Sequence, residues 1–383
     1  MYDIETILEY VKEEDIKFIR LSFTDIYGRQ KNVSVMPHEL LDAYTNGVGI
    51  NAHLIDGFTY AKELYLFPNL DTISILPWRP REGRVIRLLC DIKYPNGKPF
   101  ECDTRRILAL AVEYAKKHNI EFKFGSSLDF YLFKADENGN SLNIPYDNAG
   151  YLDVAPDDKG ENIRREICLM LEEMSILPIR SHHNEGPGQN RISFKLEDPT
   201  TAATNTNLLK SVVKMASYKN GLVGDFSPKP VANKPGNAYN ISFDVNDDNL
   251  NYAIEGVLRH IKEITAFLNI KEESYERFDT FSAPKSIYYS EDNKNELINI
   301  TTKDGKIIRA ELRSADPLTN PNLALALIIY AATDGILNKY ELGNYSDKRE
   351  NLPLSLVEAK DIAKKSKFIA KYLPKELLDS YLK

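Results

Sequence analysis

At 383 residues, 43% hydrophobic and 27% charged, the chain has the balance of a globular protein long enough for two or three packed cores. A net charge of -7 with interspersed signs argues against nucleic acid as the main partner, and no apolar run has the length of a membrane span. Cys90, Cys102 and Cys168 show no C-x-x-C spacing, which excludes a zinc ribbon and a disulfide framework and suits a reducing cytoplasm. The opening Met-Tyr-Asp-Ile-Glu lacks the basic start of a signal peptide, so no leader is expected.

In chain order, Ile4, Ile7, Leu8 and Val11 recur at helical spacing and predict an amphipathic helix over 3–14. Ile19 to Phe23 alternates as a strand, Asp25-Ile26-Tyr27-Gly28 turns it, and Asn32 to Val35 returns as its hairpin partner. A helix over about 38–46, strand character at Thr72–Leu76 and a strongly apolar strand at Val85–Ile92 complete a β-rich unit. Asn96-Gly97 marks a tight turn after it. The pattern changes near Asp103, which gives units of 1–103 and 104–383. In the second unit, helices are expected over 104–118, 160–174, 203–219, 248–268 and 320–337, with a charged, amphipathic stretch over 354–382 whose last helix opens at Pro374. Strands are expected at Lys123–Phe133 and Arg309–Arg313. Hairpin signals outnumber βαβ units, so the second sheet should be antiparallel. No internal repeat or low-complexity segment interrupts either unit.

The densest polar stretch is Ser181-His182-His183-Asn184-Glu185-Gly186-Pro187-Gly188-Gln189-Asn190-Arg191-Ile192-Ser193-Phe194. Gly-Pro-Gly is a sharp turn, and the alternation after it is a strand with one buried face. The stretch resembles the H-H-E-x-x-P-G-Q-x-E segment of glutamine synthetases. The similarity extends collinearly through Phe23–Gly28, Gly47-Val48-Gly49, Asp71-Thr72, Leu76-Pro77-Trp78, Gly150–Pro156, Gly160–Arg165, Phe226–Pro230, Glu311–Pro317 and Asn320–Leu325. The resemblance implies an α+β fold: an N-terminal β-grasp domain followed by a catalytic domain of curved antiparallel strands and helices. It also implies a ring of subunits with the active site between neighbours.

The same resemblance implies a chemistry, the activation of a carboxylate by ATP, in which divalent metals neutralise charge. The positions that would carry it are altered. The E-x-E strand falls on Ser127-Leu128-Asp129, the two hairpin glutamates on Asn184 and Arg191, and the metal-binding histidine on Ala238. Glu311 keeps the late glutamate. Glu185 is displaced by one residue, which in an extended segment turns it to the other face. The aspartate that helps deprotonate ammonium falls on Asn51, the flap glutamate on Ser282, and a nucleotide-contacting arginine on Lys294. Asn233 and Gly236 keep the loop that frames the amino-acid substrate. Arg277 and Arg313 match substrate-holding arginines, either as an anion pocket or as structural partners of Glu311 and Asp316. His182 and His183 are adjacent in a strand and cannot both face one ion.

Two Mg²⁺ ions would bring four positive charges to Asp129 and Glu311, with Arg191 already present. A divalent ion about 4 Å from a guanidinium meets repulsion of several kcal/mol even at an effective dielectric near 20. The expectation is therefore a chain that binds no metal pair and needs no cofactor. It would be inactive in glutamine synthesis and serve as a ligand-binding protein or as an assembly partner of a true glutamine synthetase. The ligand-contacting set would be Asp129, Arg191, Asn233, Gly236, Arg277, Glu311 and Arg313, facing a small carboxylate or amino acid. Two alternatives stay open. One is an enzyme with remodelled, metal-independent chemistry on such a ligand. The other is an active ligase that joins glutamate and ammonia with Mg²⁺ and ATP. A homo-oligomeric ring, with neither nucleic acid nor membrane as partner, is expected in each case.

Overall fold

The computed structural model describes residues 2–79, 82–278, 283–293, 295–343 and 350–383. The N-terminal unit contains helices α1 (Ile4–Glu13) and α2 (Leu40–Asn46). Its strands are β1 (Ile16–Thr24), β2 (Gln30–Val35), β3 (Val48–Asn51), β4 (Glu63–Ile75) and β5 (Arg84–Lys93). They form one sheet in the order β2-β1-β5-β4-β3, with β1 and β5 parallel and the other pairs antiparallel. Asp3 caps α1 by accepting from Thr6 N at 2.7 Å, and Ile7 and Val11 of that helix are buried.

Asp103 joins the two units. Its carboxylate caps α3 (Thr104–Lys117), accepting from Arg105 N at 3.0 Å, and also accepts from Ile92 N at 3.2 Å. The rest of the chain follows as β6 (Phe122–Ala135), β7 (Ser141–Pro145), α4 (Glu161–Glu173), β8 (Pro178–His183), β9 (Gln189–Phe194), α5 (Pro199–Lys219), β10 (Leu222–Asp225) and β11 (Tyr239–Val245). Next come α6 (Leu250–Leu268), α7 (Glu272–Tyr275), β12 (Tyr289–Ser290), β13 (Ile298–Lys303), β14 (Lys306–Leu312) and α8 (Pro321–Leu337). The chain closes with α9 (Leu356–Lys365), α10 (Lys367–Tyr372) and α11 (Lys375–Tyr381).

Nine of these strands make the second sheet, whose main path runs β12-β13-β14-β11-β6-β9-β8, with β7 and β10 also paired to β6. Its pairs are antiparallel except β12 with β13. The α+β class and the β-grasp unit are as the sequence implies, while the short parallel pair of β12 with β13 modifies the antiparallel expectation for the second sheet. One face of this sheet presents Phe124, Leu128, Phe130, Ile192, Ile241, Phe243 and Leu312 to the core, all buried. Helices α5 and α6 pack close to it, and α8 packs on α3, α5 and α6.

Alternation exposes strands better than uniform burial does. β6 is buried along nearly its whole length because helices cover one face and the polar site the other. β3, the first half of β4, β11 and β13 are strands beyond those expected from the sequence, although β11 (Tyr239–Val245) alternates apolar and polar residues, and the 354–382 stretch breaks into three helices at Ser366 and Pro374.

The β-grasp unit seats on the start of α8. Asn320 caps α8 by accepting from Asn322 N at 3.0 Å, and its Nδ2 donates to Ile26 O at 3.0 Å. Helices α6 and α8 cross with their backbones touching. A Cβ on Gly256 would lie 2.2 Å from Ala331 O, and one on Gly335 2.1 Å from Tyr252 O.

The C-terminal helices are fastened by His260. Its Nδ1 faces Glu263 Oε2 at 2.5 Å, its Nε2 faces Asp334 Oδ2 at 3.0 Å, and its ring stacks on Phe368 at 3.9 Å. Ser366 Oγ donates to Glu263 Oε1 at 2.6 Å. Burial disfavours the imidazolium, but the bonds to Glu263 and Asp334 prevail and raise the His260 pKa. Burial likewise opposes charge on Glu263, and the bonds from His260 and Ser366 lower its pKa. The clasp is therefore strongest between the ordinary glutamate value of 4.5 and the ordinary histidine value of 6.5. It weakens as pH rises through the raised histidine value, or falls through the lowered glutamate value. His260→Gln should lower Tm by about 1–2 °C at pH 6 and by less at pH 9, as read by differential scanning calorimetry.

Candidate functional site

The open face of the second sheet is polar because the register brings polar residues of four neighbouring strands onto one side. Asp129 of β6 lies opposite Arg191 of β9, Ser127 opposite both Ser193 and Asn240, and Ser242 of β11 opposite Glu311 of β14. Asp129 is fully buried. Its Oδ1 accepts from Arg191 Nε at 2.5 Å, and its Oδ2 accepts from Arg191 Nη2 at 2.8 Å and from Ala238 N at 3.1 Å. This is a two-pronged guanidinium–carboxylate pair with a backbone amide completing the acceptor set. Burial works against the Arg191 charge. The attraction and hydrogen bonds of Asp129, reinforced by Glu311, outweigh it and raise the arginine's pKa.

Glu311 is held more loosely. Ser242 Oγ stands 3.5 Å from its Oε2, and Arg313 Nη1 stands 3.6 Å from its Oε1. Arg313 is largely buried, which lowers its pKa against the pull of Glu311. Ser127 Oγ donates to Ser193 Oγ at 2.8 Å. His182 pairs in register with Arg191, and burial together with that neighbouring cation pushes its pKa down to about 4, so it is neutral. His183 turns to the opposite face, as strand alternation requires.

The other candidates are dispersed. Arg277 is fully buried and holds the frame. Its Nη1 donates to Asn237 O at 2.8 Å, and its Nη2 donates to Ser314 O at 2.8 Å and Asn269 Oδ1 at 2.7 Å. It binds backbone carbonyls in place of the anion expected of it, because a buried guanidinium collects every nearby acceptor. Gly236 lies against it, with Pro228 O where a Cβ would stand, and its carbonyl accepts from Gln189 Nε2 at 3.0 Å. Asn233 is exposed in the same loop, in the left-handed region at φ 58°. Asn184 is buried, its N–H donating to Gln189 O at 2.7 Å across the hairpin, whereas Glu185 is exposed. Asn51 is exposed at the end of β3 in the N-terminal sheet. Ser282 and Lys294 lie outside the described residues.

A second polar cluster lies beneath the hairpin and was not legible as a site in the sequence, because Asp147 and Asp158 sit in loops far from His183 along the chain. Ligand atoms of the buried Asp147, Asp158 and His183 lie within 4.8 Å of one another, a spacing that could hold a metal ion. His183 Nε2 faces Asp147 Oδ1 at 2.9 Å and its Nδ1 faces Asn184 O at 2.7 Å. Burial lowers the His183 pKa, but these acceptors prevail and raise it. Burial alone would raise the Asp147 pKa, and His183 with Gly188 N brings it below the ordinary value. Asp158 grips Arg164, which also donates to Asn190 Oδ1 at 2.6 Å. An ion here would require His183 to give up its Nε2 proton and Asp158 to release Arg164.

The family model of the glutamine synthetase catalytic domain matches residues 101–383, and that of the glutamine synthetase β-grasp domain matches residues 15–95. The chain belongs to the glutamine synthetase family. The glutamine synthetase of Clostridium saccharobutylicum is 36% identical over 414 aligned positions, covering 100% of this chain and 94% of that protein. The glutamine synthetase of Methanosarcina mazei is 37% identical, covering 99% of this chain and 92% of that protein. A solved structure described as a GmaS/ADP complex superposes with a TM-score of 0.87 at 23% identity, covering 100% of this chain and 94% of that one, a likeness of fold.

These full-length relatives overturn the expectation of a chain without ligase activity that acts only as a ligand-binding or assembly partner. They favour the active enzyme, the alternative reading. The loss of individual metal ligands weighed too heavily there, since a ligase site is shared among many groups. The expectation of no cofactor is likewise unsupported, because the family normally uses magnesium and ATP and the Asp147 cluster has metal-ligand spacing. Members of the family are typically homo-oligomeric. Among the described residues no helix is long and apolar enough to cross a membrane.

The hairpin turn depends on Gly188. It has φ 68°, and a Cβ there would stand 2.8 Å from Leu132 O. Its N–H donates to Asp147 Oδ1 at 2.8 Å. Gly188→Ala should destabilise the fold by about 1–3 kcal/mol through backbone strain and this clash, measured as a lower urea midpoint with the slope unchanged.

Proposed function

We propose that the chain is an ATP-dependent ligase that joins ammonia to the side-chain carboxylate of glutamate. The observation that carries this reading is similarity to glutamine synthetases over essentially the whole chain, 36% identity with 100% of it covered in one case. The polar face supplies groups of the right kind. Glu311 keeps lone pairs free, because its contacts to Ser242 and Arg313 are long, at 3.5 and 3.6 Å. In this reading it holds ammonium by charge and accepts its proton. Arg313 stands beside it as the group that orients an anionic substrate.

A protein-held pair of Mg²⁺ ions does not fit between Asp129 and Glu311. Both Asp129 oxygens are taken by Arg191, and one also by Ala238 N. The magnesium of the reaction is accordingly assigned to the nucleotide, arriving as part of the substrate. The units 1–103 and 104–383, a homo-oligomeric ring and a cytoplasmic setting suited to the free Cys90, Cys102 and Cys168 belong to the same reading.

Purified protein given glutamate, ammonium, ATP and Mg²⁺ or Mn²⁺ should form glutamine and ADP in equal amounts, with turnover above about 10⁻² s⁻¹. Glu311→Gln should lower kcat by about 10²-fold. A folded, oligomeric parent that makes ADP but no glutamine, or neither, would overturn the assignment.

A further inference from the structure

The polar face is electrically closed by its own side chains. Asp129 and Glu311 contribute two negative charges, and Arg191 and Arg313 two positive ones. His182, in register with Arg191, is neutral above pH of about 4, and Tyr151, whose ring stands edge-on to His182 at 5.7 Å, is the further titratable neighbour. Asp129 is fully buried and has spent both oxygens on Arg191 and Ala238 N. Arg191 is held in turn by two parallel hydrogen bonds, with its side chain 21% exposed.

We infer that Arg191 is a built-in cation, a positioning residue that supplies at Asp129 the positive charge a divalent ion would otherwise bring, and that it thereby closes this face to divalent ions. Hard cations such as Mn²⁺ and Mg²⁺ bind where several anionic oxygens converge. Here a guanidinium is bonded to Asp129 and attracted by the charge of Glu311, and an entering ion would have to displace it from a two-pronged bond and then meet its repulsion. Removing the arginine inverts the balance. Arg191→Gln leaves two acids against one base, and Arg191→Glu leaves three against one. Either change creates a converging acidic face without altering the backbone.

The test is Mn²⁺ binding in the absence of nucleotide, followed by electron paramagnetic resonance and isothermal titration. Each protein is compared with its own Asp129→Asn version, so that ions bound elsewhere cancel. The parent and Asp129→Asn should bind the same number of ions. Arg191→Glu should gain one ion at least about 10-fold tighter than any site of the parent, and Asp129→Asn or Glu311→Gln added to it should remove that ion. Mn²⁺ should also raise the Tm of Arg191→Glu, by about 3–5 °C at hundredfold excess over Kd, while leaving that of the parent in place. Should Arg191→Glu fail to fold, the milder Arg191→Gln carries the same comparison. A parent that holds a tight Mn²⁺ ion lost on Asp129→Asn overturns the inference, as does a folded Arg191 variant that gains none. The readout is ion binding, so it stands or falls apart from the glutamine-forming assay.

Discussion

A carboxylate buried in the middle of a sheet must be compensated, and the surroundings of Asp129 are arranged to do so. The residue is fully buried on β6, where water cannot reach it. An ionised acid in that position is tolerable only with a partner in good geometry. The partner is set by register, since Asp129 lies directly across from Arg191 on the next strand. The amide that completes its acceptor set comes from β11's lead-in at Ala238. Three segments are thus tied at one point, and removing one partner of such a pair costs roughly 3–5 kcal/mol. The hairpin that carries Arg191 must therefore hold its register, which Gly188, Asp147 and His183 enforce from below.

The parts of the chain that could be read without coordinates share a physical property: their signal is local. The pattern change near Asp103, the amphipathic spacing of α1 and the alternation within β1 are complete within a few residues. The Gly-Pro-Gly turn belongs to the same class. β3, at four residues, is too short for alternation to mark it, whereas β11 does carry a local signal, Tyr239, Ile241, Phe243 and Val245 alternating with Asn240, Ser242 and Asp244. For Arg277 the resemblance left two readings open, an anion pocket and a structural partner that holds the strand. Only the fold shows it buried among the carbonyls of Asn237, Ser314 and Ala315, contributed by two separate loops. The Asp147, Asp158 and His183 cluster was invisible for the same reason, because long-range pairing carries no local mark.

The similarity to glutamine synthetases and the altered site concern different scales. Identity of 36–37% is spread over essentially the whole chain and so speaks for the fold as a whole. A charge partner such as Arg191 acts at one point of that frame, where it balances the buried Asp129. Counting lost ligands one at a time overstates their effect, since a guanidinium can satisfy the same buried acid that a metal would. What changes is the currency of the charge: a side chain cannot dissociate, so the site keeps its balance at any ion concentration.

The crossing of α6 and α8 at Gly256 and Gly335 sets a mechanical limit on this protein. With backbone atoms already in contact there, the two helices share a pivot that leaves no slack for sliding along each other. α6 underlies β11 and β14, and α8 carries the β-grasp unit. Any motion that opens or closes the polar face must then swing about that pivot or be confined to loops. The separation of α6 and α8 is thus set by the absence of two side chains, and a single methyl group at either position would have to push apart the helices on which both sheets rest.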